Sequence, residues 1–260
     1  MDFKTKLQKT IARNNSLLCV GLDPDSASIE GALDVVSFNK RVVDRTADFV
    51  CAYKPNSAFF ESYGLDGPKF LKLTIGYIKG KYPDIPIILD AKRADIGSSS
   101  EMYARQVFDF LDADAVTLNP YLGEDSLEPF LKRKEKGAII LCRTSNPSAK
   151  DLQDIKADGE PLFIKVAKKV VAWDKKYKNL LMVVGATYPN DLKKIREIAP
   201  QMTFLVPGIG EQGGDLENTL KNGLKGDGTG LIISATRSII YAQDPRSAAK
   251  KLRDEINKHR

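Results

Sequence analysis

Eight short apolar runs, spaced by stretches in which apolar residues recur at helical intervals, are what leave this 260-residue chain the fewest ways to fold. They lie at 17–22, 49–53, 87–92, 115–118, 137–142, 180–184, 203–206 and 228–234, and helical patterns cover 2–13, 34–47, 67–81, 101–111, 124–135, 162–177, 189–199 and 245–257. A short, unbroken apolar run reads as a strand buried on both faces, and alternation with helices calls for a parallel sheet. Every run also turns polar at its C-terminal end, as in Leu22-Asp23-Pro24, Tyr53-Lys54-Pro55-Asn56 and Leu118-Asn119-Pro120. The fold expected is an α/β (β/α)8 TIM barrel, whose length is typically roughly 250 residues. An open doubly wound sheet is the competing architecture; it would carry GxGxxG after its first strand, where this chain has Gly21-Leu22-Asp23-Pro24. No linker or low-complexity tract divides the sequence, so residues 1–260 are read as a single barrel domain. Residues 146–160 lack periodicity and are read as a long, functional loop.

Because strand ends converge at one face of a barrel, the charges there meet. Ile87-Ile88-Leu89 runs straight into Asp90, Lys92 and Asp95. Side chains two apart on a strand share a face, so Asp90 and Lys92 are expected to point together, with Asp95 swinging in from beyond the strand. The outcome would be an ammonium flanked by two carboxylates, joined by Asp23 and Lys54 from the first two strand ends. A single strand-end salt bridge is the plainer explanation for each pair. An array of five charged groups at three strand ends argues for chemistry, since buried charges are costly unless paired.

A second constellation follows strands seven and eight: Pro207-Gly-Ile-Gly-Glu-Gln212-Gly-Gly-Asp215 and Ala235-Thr-Arg237-Ser238. Glycines let successive backbone N–H groups approach an anion, and these two loops are a frequent phosphate site in barrels. Arg237 would add a bidentate clamp and Gln212 a neutral donor. The alternative is a flexible loop with a surface arginine. Beside the charge array, the loop points to a small phosphorylated substrate. Thr144-Ser145-Asn146 could hydrogen-bond a polar ring edge, although Ser-Asn-Pro is first of all turn chemistry.

Composition narrows the chemistry further. A single histidine, His259, argues against a His base or a His-ligated metal. Cys19, Cys51 and Cys142 each fall in an apolar run, as buried free thiols in a reducing compartment do. Forty basic against 34 acidic residues give +6, with the lysines at helical spacing and no aromatic-interleaved basic stripe, so they are solvated helix faces and not a nucleic-acid surface. Without a hydrophobic leader or an apolar run of membrane-spanning length, the expected location is the cytoplasm, away from membranes.

The sequence Asp90-Ala-Lys92-Arg-Ala-Asp95-Ile96-Gly97 resembles the DxKxxDIG signature of the orotidine 5′-phosphate decarboxylase family. The resemblance spans the chain, through Gly-Leu-Asp23-Pro, Tyr-Lys54-Pro-Asn56, Arg-Thr144-Ser145-Asn-Pro, Val-Pro207-Gly-Ile-Gly-Glu-Gln212-Gly-Gly-Asp and Ala-Thr-Arg237, and is to the longer-chain subgroup. It implies decarboxylation of orotidine monophosphate to UMP, the last step of de novo pyrimidine synthesis, in a homodimer with no metal or organic cofactor. It further implies Lys92 as proton donor; Lys54, Asp90 and Asp95 as the rest of the charged network; and Asp95, Ile96 and Ser99 as contributed across the dimer interface. Asp23 and Asn56 match ribose and network contacts, Ser145 and Pro207 the pyrimidine pocket, and Gln212 and Arg237 the phosphate grip. Ser99 stands where threonine is expected, and either hydroxyl could bond a ribose. Association with a separate orotate phosphoribosyltransferase is left open. Two rivals remain: a metal-dependent sugar-phosphate lyase of the same superfamily, which would want a carboxylate where Lys54 stands, and a nucleotide-binding barrel without catalysis.

Overall fold

The N-terminal helix, Phe3–Asn14, starts where the Asp2 carboxylate accepts the Thr5 N–H at 3.0 Å, and it buries Phe3, Leu7 and Ile11. That apolar stripe closes the bottom of a barrel. A Cβ added at Gly137 would sit 2.4 Å from the Phe3 ring, so the strand opening at Gly137 accepts the helix only because it begins with glycine. In the computed structural model, which describes residues 1–29, 34–209 and 215–260, the barrel strands are β1 Leu18–Leu22, β2 Ala52–Pro55, β3 Ile88–Arg93, β4 Ala115–Leu118, β5 Gly137–Arg143, β6 Leu180–Val184, β7 Phe204–Val206 and β8 Leu231–Ala235.

Neighbouring strands pair in parallel in the order β2-β1-β8-β7-β6-β5-β4-β3. Parallel bridges Tyr53↔Ile87 and Asn56↔Asp90 join β2 to β3 and complete the ring. The expected (β/α)8 architecture is therefore present. Seven strands are buried almost throughout; β3 alone emerges, buried from Ile88 to Asp90 and partly or fully open from Ala91 to Arg93. Its exposed end is the site's foundation.

Helices Gly67–Lys81 and Leu162–Tyr177 lie where the periodicity placed them. Several features differ, among them an eighth strand that begins at Leu231 and a helix that ends at Leu131. The second strand begins at Ala52, because Ala47–Phe49 forms a 3₁₀ turn closing the preceding helix, and so Lys54 and Pro55 belong to the strand itself. The helix expected over 101–111 starts at Gly97 and passes into a π segment at Gln106–Phe110. The 146–160 loop contains a 3₁₀ turn at Pro147–Ala149, a helical turn at Lys150–Gln153 and a small antiparallel pair of Lys156–Ala157 with Glu160–Pro161. Short helices at Ser57–Glu61, Leu216–Gly223 and Arg237–Ile240 had no separate signal. Cys19, Cys51 and Cys142 are free and buried, and burial pushes the Cys19 thiol up to about 12.

Candidate active site

At the open end of β3 the pairing with β4 breaks step. Leu89 lies opposite Val116 and Arg93 opposite Leu118, so β3 uses more residues than its partner over the same span. Lys92 takes a left-handed φ of 47° inside this bulge, which costs strain for any residue with a side chain. The strict two-residue alternation expected for Asp90 and Lys92 is thus interrupted, yet the two side chains still meet: Lys92 Nζ donates to Asp90 Oδ1 at 2.7 Å. Lys54 Nζ, from β2, donates to the other oxygen, Oδ2, at 2.9 Å.

Thr117 completes the cluster from β4. Its Oγ1 donates to Asp90 Oδ1 at 2.9 Å and accepts the N–H groups of Ala91 and Lys92 at 3.1 and 2.9 Å. The only sign of Thr117 in the sequence was a hydroxyl in an otherwise apolar run, Ala-Val-Thr-Leu. Asp90 and Lys54 are buried, whereas the Lys92 side chain is 51% exposed. Burial opposes ionisation of Asp90, but Lys54 and then Lys92 outweigh it and hold the carboxyl well below the usual carboxylate range. Burial likewise opposes the charge on Lys54, and Asp90 followed by Asp23 hold its pKa above an ordinary lysine's.

Asp23 behaves differently. Burial pushes its pKa up, with Lys54 acting against the rise, even though its Oδ1 accepts the Asn56 N–H at 3.1 Å and Thr236 bonds the carboxylate. Thr236 packs so closely over β1 that a Cβ at Gly21 would lie 2.0 Å from its Oγ1; glycine before Leu22-Asp23 is thereby required. Tyr241 fixes the same loop by donating to the Asp23 carbonyl at 3.1 Å and accepting the Asp25 N–H at 2.8 Å. Thr236 stood within the Ala235–Ser238 motif without a role of its own, and Tyr241 gave no signal in the sequence.

Asp23, Lys54, Pro207, Arg237 and Tyr241 line a cleft of about 530 Å³ over the ends of β1, β2, β7 and β8. Lys54 is the link between this cleft and the Asp90–Lys92 pair. Asn56 sits at the end of β2, where its side chain caps the Ser57–Glu61 helix by accepting the Ala58 N–H. Gln212 lies outside the described residues. Thr144 and Ser145, at the end of β5, do not line the cleft. The Thr144 hydroxyl donates to Asn146 Oδ1 at 2.7 Å and accepts from Gln153, whose Oε1 also takes the Thr144 N–H. Ser145 packs its backbone against Gly185.

Asp95 corrects the expected geometry. It makes no ion pair among the described residues and so does not flank Lys92 within the chain; its Oδ1 instead accepts the N–H of the next residue, Ile96, at 2.8 Å. Beyond the strand's end, side-chain direction is set by the turn and not by alternation. Ile96 is 62% exposed and Ser99 is exposed, and Met102, one turn further along the same helix, is bared as well.

A parallel barrel that gathers two lysines and two carboxylates at its strand ends, beside a cleft reached by an arginine, belongs to the class of barrel enzymes acting on small anionic molecules. Residues 16–252 match the orotidine 5′-phosphate decarboxylase / HUMPS family, and the chain belongs to it. It is 47% identical over 271 residues to an orotidine 5′-phosphate decarboxylase of Cellvibrio japonicus, covering 99% of this chain and 98% of that one. The solved OMP decarboxylase of Leishmania donovani is 40% identical with a TM-score of 0.91, covering 100% of this chain and 98% of that protein. The UMP synthase of the same organism is 42% identical with a TM-score of 0.93; all of this chain aligns, to 56% of that longer protein.

Proposed function

We propose that this chain decarboxylates orotidine 5′-phosphate to UMP and carbon dioxide, the last step of de novo pyrimidine synthesis. The observation that carries the mechanism is the Lys54–Asp90–Lys92 chain at the mouth of the barrel, two ammonium groups on the two oxygens of one buried carboxylate. When the bond between C6 and the substrate carboxylate breaks, its electron pair stays on C6 with no carbonyl to receive it. A fixed ammonium at that place stabilises the charge as it develops, with no reorganisation. Lys92 then passes an Nζ proton to C6, and its partial exposure lets solvent restore the proton. Asp90, held ionised, orients Lys92 and repels the substrate carboxylate, a secondary contribution.

In this reading Asp23 and Asn56 hold the ribose, Thr144, Ser145 and Pro207 the pyrimidine, and Gln212 and Arg237 the phosphate. Phosphate binding is remote from C6, so its energy can position the base. The barrel, residues 1–260, works as one domain and as a homodimer in which Asp95, Ile96 and Ser99 reach the partner's site; the exposed apolar side chains beside Ile96 support that surface. The UMP synthase likeness supports association with an orotate phosphoribosyltransferase activity. No helix among the described residues is long and apolar enough to cross a membrane; a cytoplasmic location belongs to the proposal. Purified protein given orotidine monophosphate should lose the substrate's absorbance at the same rate with and without EDTA. Turnover abolished by the chelator would favour a metal-dependent lyase, and UMP binding without turnover a non-catalytic barrel.

A further inference from the structure

Asp90 and Lys92 must keep a fixed separation for this chemistry, yet they sit on the least regular backbone of the barrel. The bulge removes Ala91 and Lys92 from the β3–β4 ladder, and the left-handed φ of Lys92 has to be held against relaxation. Both displaced N–H groups go to one atom, Thr117 Oγ1. A hydroxyl has one proton and two lone pairs. With both lone pairs accepting N–H groups, the proton is directed to Asp90 Oδ1, 2.9 Å away, the same oxygen that Lys92 Nζ bonds. Thr117 is 1% exposed, and its branched Cβ restricts the rotamer.

We propose that Thr117 is a positioning residue for decarboxylation: its hydroxyl ties the backbone of Lys92 to the carboxylate of Asp90 and so sets where the lysine ammonium stands. The proposal rests on the decarboxylase reading above. A purely structural Thr117 would satisfy the bulge and affect only stability. A positioning Thr117 places Lys92 to within a fraction of an ångström, and misplacement of about 1 Å costs about 10²-fold in rate. It touches no substrate atom, so ground-state affinity should be spared.

The test compares Thr117→Val, which keeps the shape and removes the hydroxyl, with Thr117→Ser, which keeps the hydroxyl; if the valine variant does not fold, Thr117→Ala against Thr117→Ser makes the same comparison. The readouts are kcat and KM for orotidine monophosphate, Kd for UMP, and amide hydrogen exchange at Ala91 and Lys92. Thr117→Val should lower kcat about 10²-fold with KM and the UMP Kd nearly unchanged and with faster exchange at both amides. Serine should restore most of kcat and the slow exchange. The proposal is overturned if the valine variant keeps wild-type kcat, or if serine and valine lose kcat and UMP affinity together. A wild-type protein that does not consume the substrate would instead defeat the decarboxylase reading.

Discussion

Two clusters of lysine and aspartate, each centred on a buried carboxylate, occupy opposite ends of the same barrel, and they are built differently. At the floor, Asp114 accepts Lys6 at 3.0 Å, Lys79 at 3.1 Å and the Ile87 N–H at 2.8 Å, while Asp112 takes Lys79 and Lys136 at 3.2 Å. The helix Phe3–Asn14 that carries Lys6 lies over this cluster. Its charges face one another. At the mouth, Asp90 also holds two lysines, but one of them reaches solvent from a left-handed backbone and the other opens on a cleft. Identical residue types thus tie a helix down at one end of the barrel and, in the decarboxylase reading, carry chemistry at the other, in keeping with the division of labour between the two faces of such barrels.

The comparison is broken most directly at Lys92. Lys92→Ala should lower decarboxylation by about 10³-fold or more while UMP affinity and melting temperature stay close to wild type; substantial remaining turnover would remove Lys92 from its role and make the mouth another structural cluster. The floor should respond the other way. Asp114→Asn keeps an acceptor for the Ile87 N–H but strands the Lys6 charge, and about 3 kcal/mol of stability should be lost, seen as a lower denaturant midpoint with kcat preserved in the folded protein. A fall in kcat without loss of stability would erase the distinction.

The smallest effect is expected at Asp23, the carboxylate whose pKa is raised. Folding favours its protonated form, so its contribution is present below the ordinary carboxylate pKa of about 4 and is lost as pH rises through the folded value. Asp23→Asn should therefore match wild type in acid and melt roughly 2 °C higher at neutral pH, with weaker nucleotide binding. Lower stability at neutral pH would mean that Lys54 depends on Asp23 more than burial penalises it, and the mouth would then resemble the floor.

The barrel was legible because strands buried on both faces leave unbroken apolar runs, and the charged tips were legible because five charged groups at three strand ends are more than isolated salt bridges account for. Asp23, Lys54, Asp90 and Lys92 were found that way. What escaped notice depends on backbone departures that residue spacing does not encode. The bulge in β3 gives Thr117 its partners, and nothing in Ala-Val-Thr-Leu announces a bulge on the neighbouring strand. Asp95 lies past the last paired residue, where alternation no longer predicts direction. The strand was expected from residue 49 because Phe49-Val50-Cys51, which lead from the 3₁₀ turn into β2, are as apolar as a buried strand.

The plug at the floor also bears on the order in which the molecule is put together. Phe3 donates its N–H to the Glu135 carbonyl, and Lys4 reaches the Lys178 carbonyl, so this helix gains those two anchors only after much later residues have been made. Until then these anchors are missing, and a segment made before most of the barrel completes its docking late.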